Sequence, residues 1–241
     1  MKNQEIIYGI FHLGSGLGNM LHRYVATRAL AMAKGCKFGM VAPDLFKGKS
    51  LFGLYLGDVA NEYEIEYPSG KVHPYCDGQI LDGEFQNEMI WKGILPEVRK
   101  WLAVKPLKMA GDVCVINFRG GEYKIFPDLY LPKEYWDLAI KQMLETNPDV
   151  KFEVHTDDPE EAKKFFPDYE IISGLEINWR SIRYAKYLIL SNSSFAILPA
   201  YLNEDVKKVI APKYWARYNT KEWLNPDNAT YSKFEYIHHN D

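Results

Sequence analysis

The run Val113-Cys114-Val115-Ile116-Asn117-Phe118 is apolar and largely β-branched, and it ends abruptly in Arg119-Gly120-Gly121-Glu122-Tyr123. An α/β protein uses this pattern to bring a fixed cation to the carboxyl end of a buried strand, where ligands bind. Guanidinium reads phosphate bidentately and stays charged at any working pH. Glycines beside it let backbone N–H groups approach an anion closely. Alone, the segment reads equally well as a strand closing in a turn with a surface arginine. Two further polar turns of similar design shift the reading towards a site.

The strand–turn–helix rhythm recurs along the chain. Ile6 to Phe11 reads as a strand, followed by Gly14-Ser15-Gly16-Leu17-Gly18-Asn19 and a helix from about Met20 to Lys34. Leu21, Tyr24, Val25, Ala29 and Met32 form its apolar stripe, and Gly35 is a natural stop. Lys37 to Val41 returns as a strand. Asn61 to Tyr67 alternates as a half-exposed strand does, and Glu88 to Leu102 reads as helix interrupted or restarted at Pro96. After Val113–Phe118, Pro132 is placed in the first turn of a helix carrying Tyr135, Leu138, Ala139, Gln142 and Met143. Strands are expected at 152–156, 171–172, 187–190 and 208–211, with helices after Asp157-Asp158-Pro159, over 178–186 and, following the Ser191–Phe195 turn, to Asn203. Alternation of this kind means a parallel sheet covered on both faces. The expected fold is two Rossmann-like halves with mainly parallel sheets facing a central cleft, 1–110 and 111–241, divided near Gly111.

Bulk properties narrow the class. The 241 residues are 47% hydrophobic and 15% aromatic, enough for a sizeable core, and the formal charge of -3 does not suit a general nucleic-acid binder. Cys36, Cys76 and Cys114 lack the spacing of a disulfide framework or zinc site, so they read as reduced thiols of a cytoplasmic protein. No signal-peptide pattern opens the sequence, and no apolar run reaches the ~18 residues of a membrane span.

Three turns carry chemistry. Gly14-x-Gly16-x-Gly18 opens a helix after a strand, but Asn19 replaces the last glycine of a dinucleotide fingerprint and no acidic residue ends the second strand. It reads as a tight turn, or as N–H groups and the Asn19 amide turned to a ligand. Ser191-Asn192-Ser193-Ser194 exceeds what one helix cap needs and can offer hydroxyls and N–H groups to a diphosphate. His155-Thr156-Asp157-Asp158 occupies the corresponding place one unit earlier, as a cap or as a reader of a guanine edge or ribose hydroxyls. No Asp-x-Asp clamp, HExxH, GxSxG or Walker loop occurs. His12, His22 and His73 stand singly and read as packed or solvated, and His238-His239 lies in a polar tail.

In order, these segments resemble the bacterial α-1,2-fucosyltransferases and, more broadly, GDP-fucose-dependent enzymes sharing their motifs. Gly16-Leu17-Gly18-Asn19-Met20 with Tyr24 and Ala29-Leu30-Ala31 is similar to the family's Gly-Leu-Gly-Asn-Gln-Met opening and first helix. Leu81 to Glu88 resembles its Gly-Tyr-Phe-Gln-Ser-Glu segment, and Asn117 to Tyr123 its His-x-Arg-Arg-Gly-Asp-Tyr motif. Phe152 to Asp158 is similar to its Phe-Ser-Asp-Asp strand end. Ile189 to Asn203 resembles its Ala-Asn-Ser-Ser-Phe segment, and Ile210 to Lys213 its closing strand. Asn117, Gly120 and Glu122 stand where the family has histidine, arginine and aspartate, and Ile197-Leu198-Pro199 replaces a Trp-Trp-Gly cluster.

The resemblance implies a GT-B enzyme with the donor on the C-terminal half and the glycan acceptor largely on the N-terminal half. It implies inverting transfer of fucose from GDP-fucose to a hydroxyl, in an α-1,2 linkage. Arg119 and Asn19 are then catalytic, and Gly16, Gly18, Asn117, Gly121, Asp157, Asp158, Asn192, Ser193 and Ser194 bind the donor. No cofactor or metal is expected, because Arg119 and the helix at Ser193/Ser194 supply the positive potential on the β-phosphate. Glu122 and Asp128 are candidates for the base by position only. The expected partners are a nucleotide-sugar and a glycan, with peripheral membrane contact if the acceptor is lipid-linked. Two alternatives stay open: a different nucleotide-sugar, or a catalytically silent nucleotide- or sugar-binding protein.

Overall fold

A computed structural model describes residues 6–60, 80–216 and 230–238. The chain forms two compact units, Met1–Val104 and Lys105–Asp241. The strand read over 61–67, Cys76, His73 and His239 lie outside the described residues.

In the first unit, β1 (Ile6–Ile10) is followed by α1 (Leu17–Lys34) and β2 (Lys37–Val41), and β3 (Ile80–Leu81) completes a parallel sheet in the order β2-β1-β3. The helix α1 starts earlier than its apolar spacing predicts. Gly16 is its cap residue, so Gly18 and Asn19 belong to its first turn rather than to the preceding loop. Gly35 ends it in the left-handed conformation, φ 66°. Met32, expected on the apolar stripe, is 46% exposed, whereas polar His22, Arg23 and Thr27 are buried. The helix lies tight on β1: a Cβ at Gly9 would fall 2.1 Å from Thr27 Oγ1. The stretch read as one helix from Glu88 is instead two 3-10 turns, 88–90 and 92–94, followed by α2 (Leu95–Trp101) with Pro96 in its first turn. Gly93 and Pro96 punctuate the segment there.

In the second unit the strands are β4 (Val113–Phe118), β5 (Lys151–Thr156), β6 (Glu170–Ser173), β7 (Tyr187–Ile189), β8 (Lys208–Pro212) and β9 (Glu235–Ile237). The helices are α3 (Lys133–Thr146), α4 (Pro159–Phe165), α5 (Leu175–Tyr184) and α6 (Ser194–Leu202). The strand order is β6-β5-β4-β7-β8-β9, with every pairing parallel. This is the doubly wound dinucleotide-fold order, in which the direction of winding reverses between the first and fourth strands, here β4 and β7. All six residues of β4 are buried, as its continuous apolar run requires.

Phe118 sits in an aromatic cluster with Tyr130, Trp136, Phe165 and Phe166. On α3 the buried face is Tyr135, Trp136, Ala139 and Met143, while Leu138 is partly exposed and Pro132 caps the helix rather than opening it. The helix α5 begins three residues before its predicted start, at the Gly174 turn. Neither β3 nor β9 was legible, because two or three residues show no period.

Candidate functional site

In an open α/β sheet, ligands bind beyond the carboxyl ends of the strands at the switch point. In the second unit that place lies between the ends of β4 and β7. The two turns the sequence singles out, 119–123 and 191–194, leave those strand ends. Asp157-Asp158 follows β5 beside them.

Arg119 is the centre of the arrangement. Its Nη1 lies 2.7 Å from Asp157 Oδ2, and its Nη2 lies 3.4 Å from Glu122 Oε1. Its guanidinium carbon is 5.0 Å from the centre of the Tyr123 ring. Its Nε is buried and has no hydrogen-bond partner among the described residues. The other oxygen of Asp157 accepts from the Gly120 N–H at 3.1 Å. Both carboxylate oxygens of Asp157 are therefore engaged in holding the loop and its arginine. The glycines permit this closeness, since a Cβ at Gly121 would lie 2.4 Å from Asp157 Oδ2 and one at Gly120 would lie 2.7 Å from Asp158 Cβ.

The two ion pairs of Arg119 differ in accessibility. The Glu122 side chain is 66% exposed and its contact is long, so it belongs with surface pairs of about 0–1 kcal/mol. An incoming phosphate can displace it at little cost. Asp157 is half as exposed as Glu122 or less and holds at shorter range, so it stays as the orienting partner.

Asp158 does other work. Its Oδ1 accepts from the Glu161 N–H and caps α4, and its Oδ2 pairs with Lys124. The Lys124 ammonium beside it holds its carboxyl below the ordinary aspartate range. Both interactions are structural: one starts a helix, the other ties the 122–125 turn to it.

The third turn is locked from below. Ser191 Oγ donates to Asn117 Oδ1 at 2.9 Å, and both residues are buried. Asn192 Nδ2 donates to the carbonyls of Leu129 and Trp215, while its Oδ1 is buried with no hydrogen-bond partner among the described residues. Tyr123 Oη reaches the Asn192 carbonyl at 3.5 Å. Ser193 caps α6, accepting from the Phe195 N–H, and Ser194 is the first helical residue. Asn117 and Asn192 thus hold the two loops in register, and Ser193 and Ser194 place the positive end of α6 at the strand edge. Asp128 lies in the loop between Arg119 and α3.

A cavity of about 250 Å³ opens beside Arg119, lined among others by Asn117, Asp157, Gly174, Asn178 and Phe195. It lies at the ends of β4, β5 and β6. A larger hollow of about 720 Å³ is formed by α3, α4 and the turn after α4, away from the strand ends, and contains none of the motif residues. Asn178 was missed by sequence reasoning. Its Nδ2 donates to the Thr156 carbonyl, and its Oδ1 faces His155 Nδ1 at 3.2 Å. Burial depresses the His155 pKa. The available signal was Gly174, whose φ of 140° marks the turn after β6 as a further shaped strand end.

In the first unit, Asn19 Oδ1 accepts from Gln86 Nε2 at 3.1 Å. Gly16 and Gly18 precede it at the start of α1, where Gly16 has ordinary extended backbone. Buried Arg23, also missed, donates to Ser15 Oγ, to the Gly83 carbonyl and to Glu84. It fixes the turn after β3 against α1. Among the described residues no group of three or more His, Cys, Asp or Glu is placed to hold a metal ion. Nor is any helix there long and apolar enough to cross a membrane.

No family model matches this sequence, and no curated protein matches it. The fold is nevertheless the α/β fold of GT-B glycosyltransferases. The chain is similar to E. coli heptosyltransferase WaaC with ADP, with a TM-score of 0.52 at 12% identity over 98% of this chain and 93% of that one. A glycosyl transferase family 9 protein from Veillonella parvula DSM 2008 gives 0.52 at 11% identity, over 98% and 86% of the two chains. Fucosyltransferase NodZ from Bradyrhizobium gives 0.51 at 10%, over 86% and 96%.

Proposed function

We propose that this protein is an inverting glycosyltransferase that transfers fucose from GDP-fucose to a glycan hydroxyl, in the α-1,2 manner its motifs resemble. The observation that carries the reading is Arg119, delivered by the central strand β4 to the switch point and held there by Asp157. The 1–110 half is assigned the acceptor and the 111–241 half the donor.

In this reading a hydroxyl attacks the anomeric carbon from the face opposite the departing GDP. Negative charge grows on the β-phosphate as the glycosidic bond breaks. Arg119 meets it with a full charge, exchanging Glu122 for a phosphate oxygen, and the N-terminus of α6 adds its dipole and N–H groups. This supply of positive potential makes a resident metal unnecessary to the proposal. Gly121 keeps the backbone close to the phosphates, and Asn19 keeps the catalytic role that its motif's resemblance gives it. Asp157 acts through Arg119, while Asp158, Asn117 and Asn192 hold the donor loops in shape. The cytoplasm is the compartment in which cysteines without disulfide spacing and a nucleotide-sugar donor belong together.

A different nucleotide-sugar is the second reading. Asn117 is buried and bonded to Ser191, so no histidine presents a base-reading group there. Thermal stability measured with GDP, GDP-fucose, GDP-mannose, UDP-glucose, ADP and NAD, without added metal, separates the cases. A selective GDP-fucose shift that disappears in Arg119→Ala supports the proposal. A shift with ADP or UDP-glucose moves the assignment to the second reading. Nucleotide binding with no turnover on any acceptor would indicate a silent binding protein.

A further inference from the structure

Asp157 can orient Arg119 only if its own backbone is fixed, and it stands where β5 leaves the sheet. Thr156 closes both ladders of that strand, paired with Phe118 of β4 and Ser173 of β6. Two contacts then hold the turn that follows. The Thr156 carbonyl accepts from Asn178 Nδ2 at 3.0 Å, and the Thr156 hydroxyl accepts from the Asp158 N–H at 2.9 Å. The first fixes the peptide that enters Asp157, and the second fixes the peptide that leaves it. Thr156 and Asn178 are 1% and 7% exposed, so little water competes for that carbonyl.

Asn178 comes from α5, 22 positions further along the chain, and its amide is held in turn. With Nδ2 given to a carbonyl, which only accepts, Oδ1 is the end that faces His155 Nδ1, at 3.2 Å. Nδ1 therefore carries the hydrogen of the neutral ring. Glu153 Oε2 lies 3.5 Å from Nε2, at the long limit of a hydrogen bond, and Glu170 of β6 adds negative charge nearby. Burial keeps the ring below its ordinary pKa despite both carboxylates, so it is neutral at neutral pH. Each polar atom of the Asn178 amide thus has a protein partner, and its effect on a ligand passes through the β5 turn.

We infer that Asn178 is a positioning residue for the nucleotide site: it fixes the Thr156 carbonyl and so aims Asp157 at Arg119, while His155 fixes the amide that does this. The inference rests on the nucleotide-binding reading of Arg119 above. The relay lies wholly within the second unit, and it ties α5 to the loop that grips the phosphates.

The test titrates the full chain with GDP, ADP and UDP, beside a denaturation curve for each variant. Asn178→Ala is expected to weaken binding of the nucleotide that wild type prefers by about ten- to a hundredfold, the cost of a binding group set out of place. Asn178→Leu keeps the side-chain volume and is expected to do the same, which separates the lost contacts from a lost fill. On an Asp157→Ala background the same changes should cost less than about twofold, because the residue they act through is gone. A packing role would instead weaken binding equally on both backgrounds. Nitrogen NMR of labelled histidine should place the His155 hydrogen on Nδ1 in wild type, a preference that Asn178→Ala removes. Wild-type affinity in both Asn178 variants, or equal losses with and without Asp157, overturns the assignment and leaves the nucleotide reading standing. A His155 hydrogen found on Nε2 in wild type overturns the part given to that ring. No nucleotide bound by wild type, or wild-type affinity in Arg119→Ala, removes the reading itself and the assignment with it.

Discussion

Arg119 Nη1 stands 2.7 Å from Asp157 Oδ2, so the cation at the end of β4 is oriented by a carboxylate at the end of the neighbouring strand β5. The loop after one strand is thus aimed by the loop after the next. The second Asp157 oxygen binds the Gly120 N–H, which makes the grip bidentate on the loop as a whole.

In a GDP-release assay, Arg119→Ala is expected to lose about a hundred- to a thousandfold in kcat, the usual effect of removing one donor at a developing oxyanion. Arg119→Lys recovers little, because an ammonium cannot hold Asp157 and a phosphate in one plane. Asp157→Ala leaves the charge in place but frees its direction, and its loss is expected to be smaller, up to about a hundredfold. If Asp157→Ala is as active as wild type, the orienting role is wrong.

Gly121→Ala tests the same grip by steric means. A Cβ there would fall 2.4 Å from Asp157 Oδ2, so the carboxylate must leave Arg119. GDP affinity should fall while the denaturant midpoint moves little. Gly120→Ala instead meets the Cβ atoms of Asp158 and Glu161, which cannot swing aside, and should lower stability by about 1–3 kcal/mol. Equal effects of the two on stability would contradict this division.

His155 makes stability depend on acid. Burial holds its folded-state pKa below the ordinary 6.5, although Asn178 and Glu153 pull the other way. The unfolded chain therefore binds the proton more readily. The contribution of neutral His155 is whole above about pH 6.5 and is lost as pH falls through its depressed folded-state value. Thermal midpoints followed downward from neutrality should decline less steeply in His155→Gln than in wild type. Parallel curves would show that His155 is not the responsible group.

Phe118 is fully buried among four aromatic rings, and Phe118→Ala should cost about 3–5 kcal/mol in chemical denaturation. Because Arg119 is the next residue, nucleotide affinity should fall with it. A loss near 1 kcal/mol would mean that the cluster closes over the cavity.

Much of this architecture was readable locally. A continuous apolar run announced β4, Gly35 announced the end of α1, and Ser193 announced a helix cap, because each signal is carried within a few residues of where it acts. The fold class and the placement of three polar turns at strand ends followed from those signals. The structure corrected what local patterns cannot separate. Met32 and Leu138 fall on apolar spacing but near the edges of their faces, where the neighbouring element does not cover them.

What only the tertiary structure decided is who meets whom. Asp157 and Asp158 are adjacent in sequence and chemically identical, yet one turns to Arg119 and the other caps α4 and binds Lys124. His12 stands singly in the sequence, and β3, too short to be legible, brings Asp82 beside it. Period and capping report an environment averaged over a turn or a strand. The pairings across 37 and 70 positions are single contacts, created by sheet order. The sequence by itself determined the strand ends and the residue types displayed on them; the winding of the two sheets decided which of those residues touch.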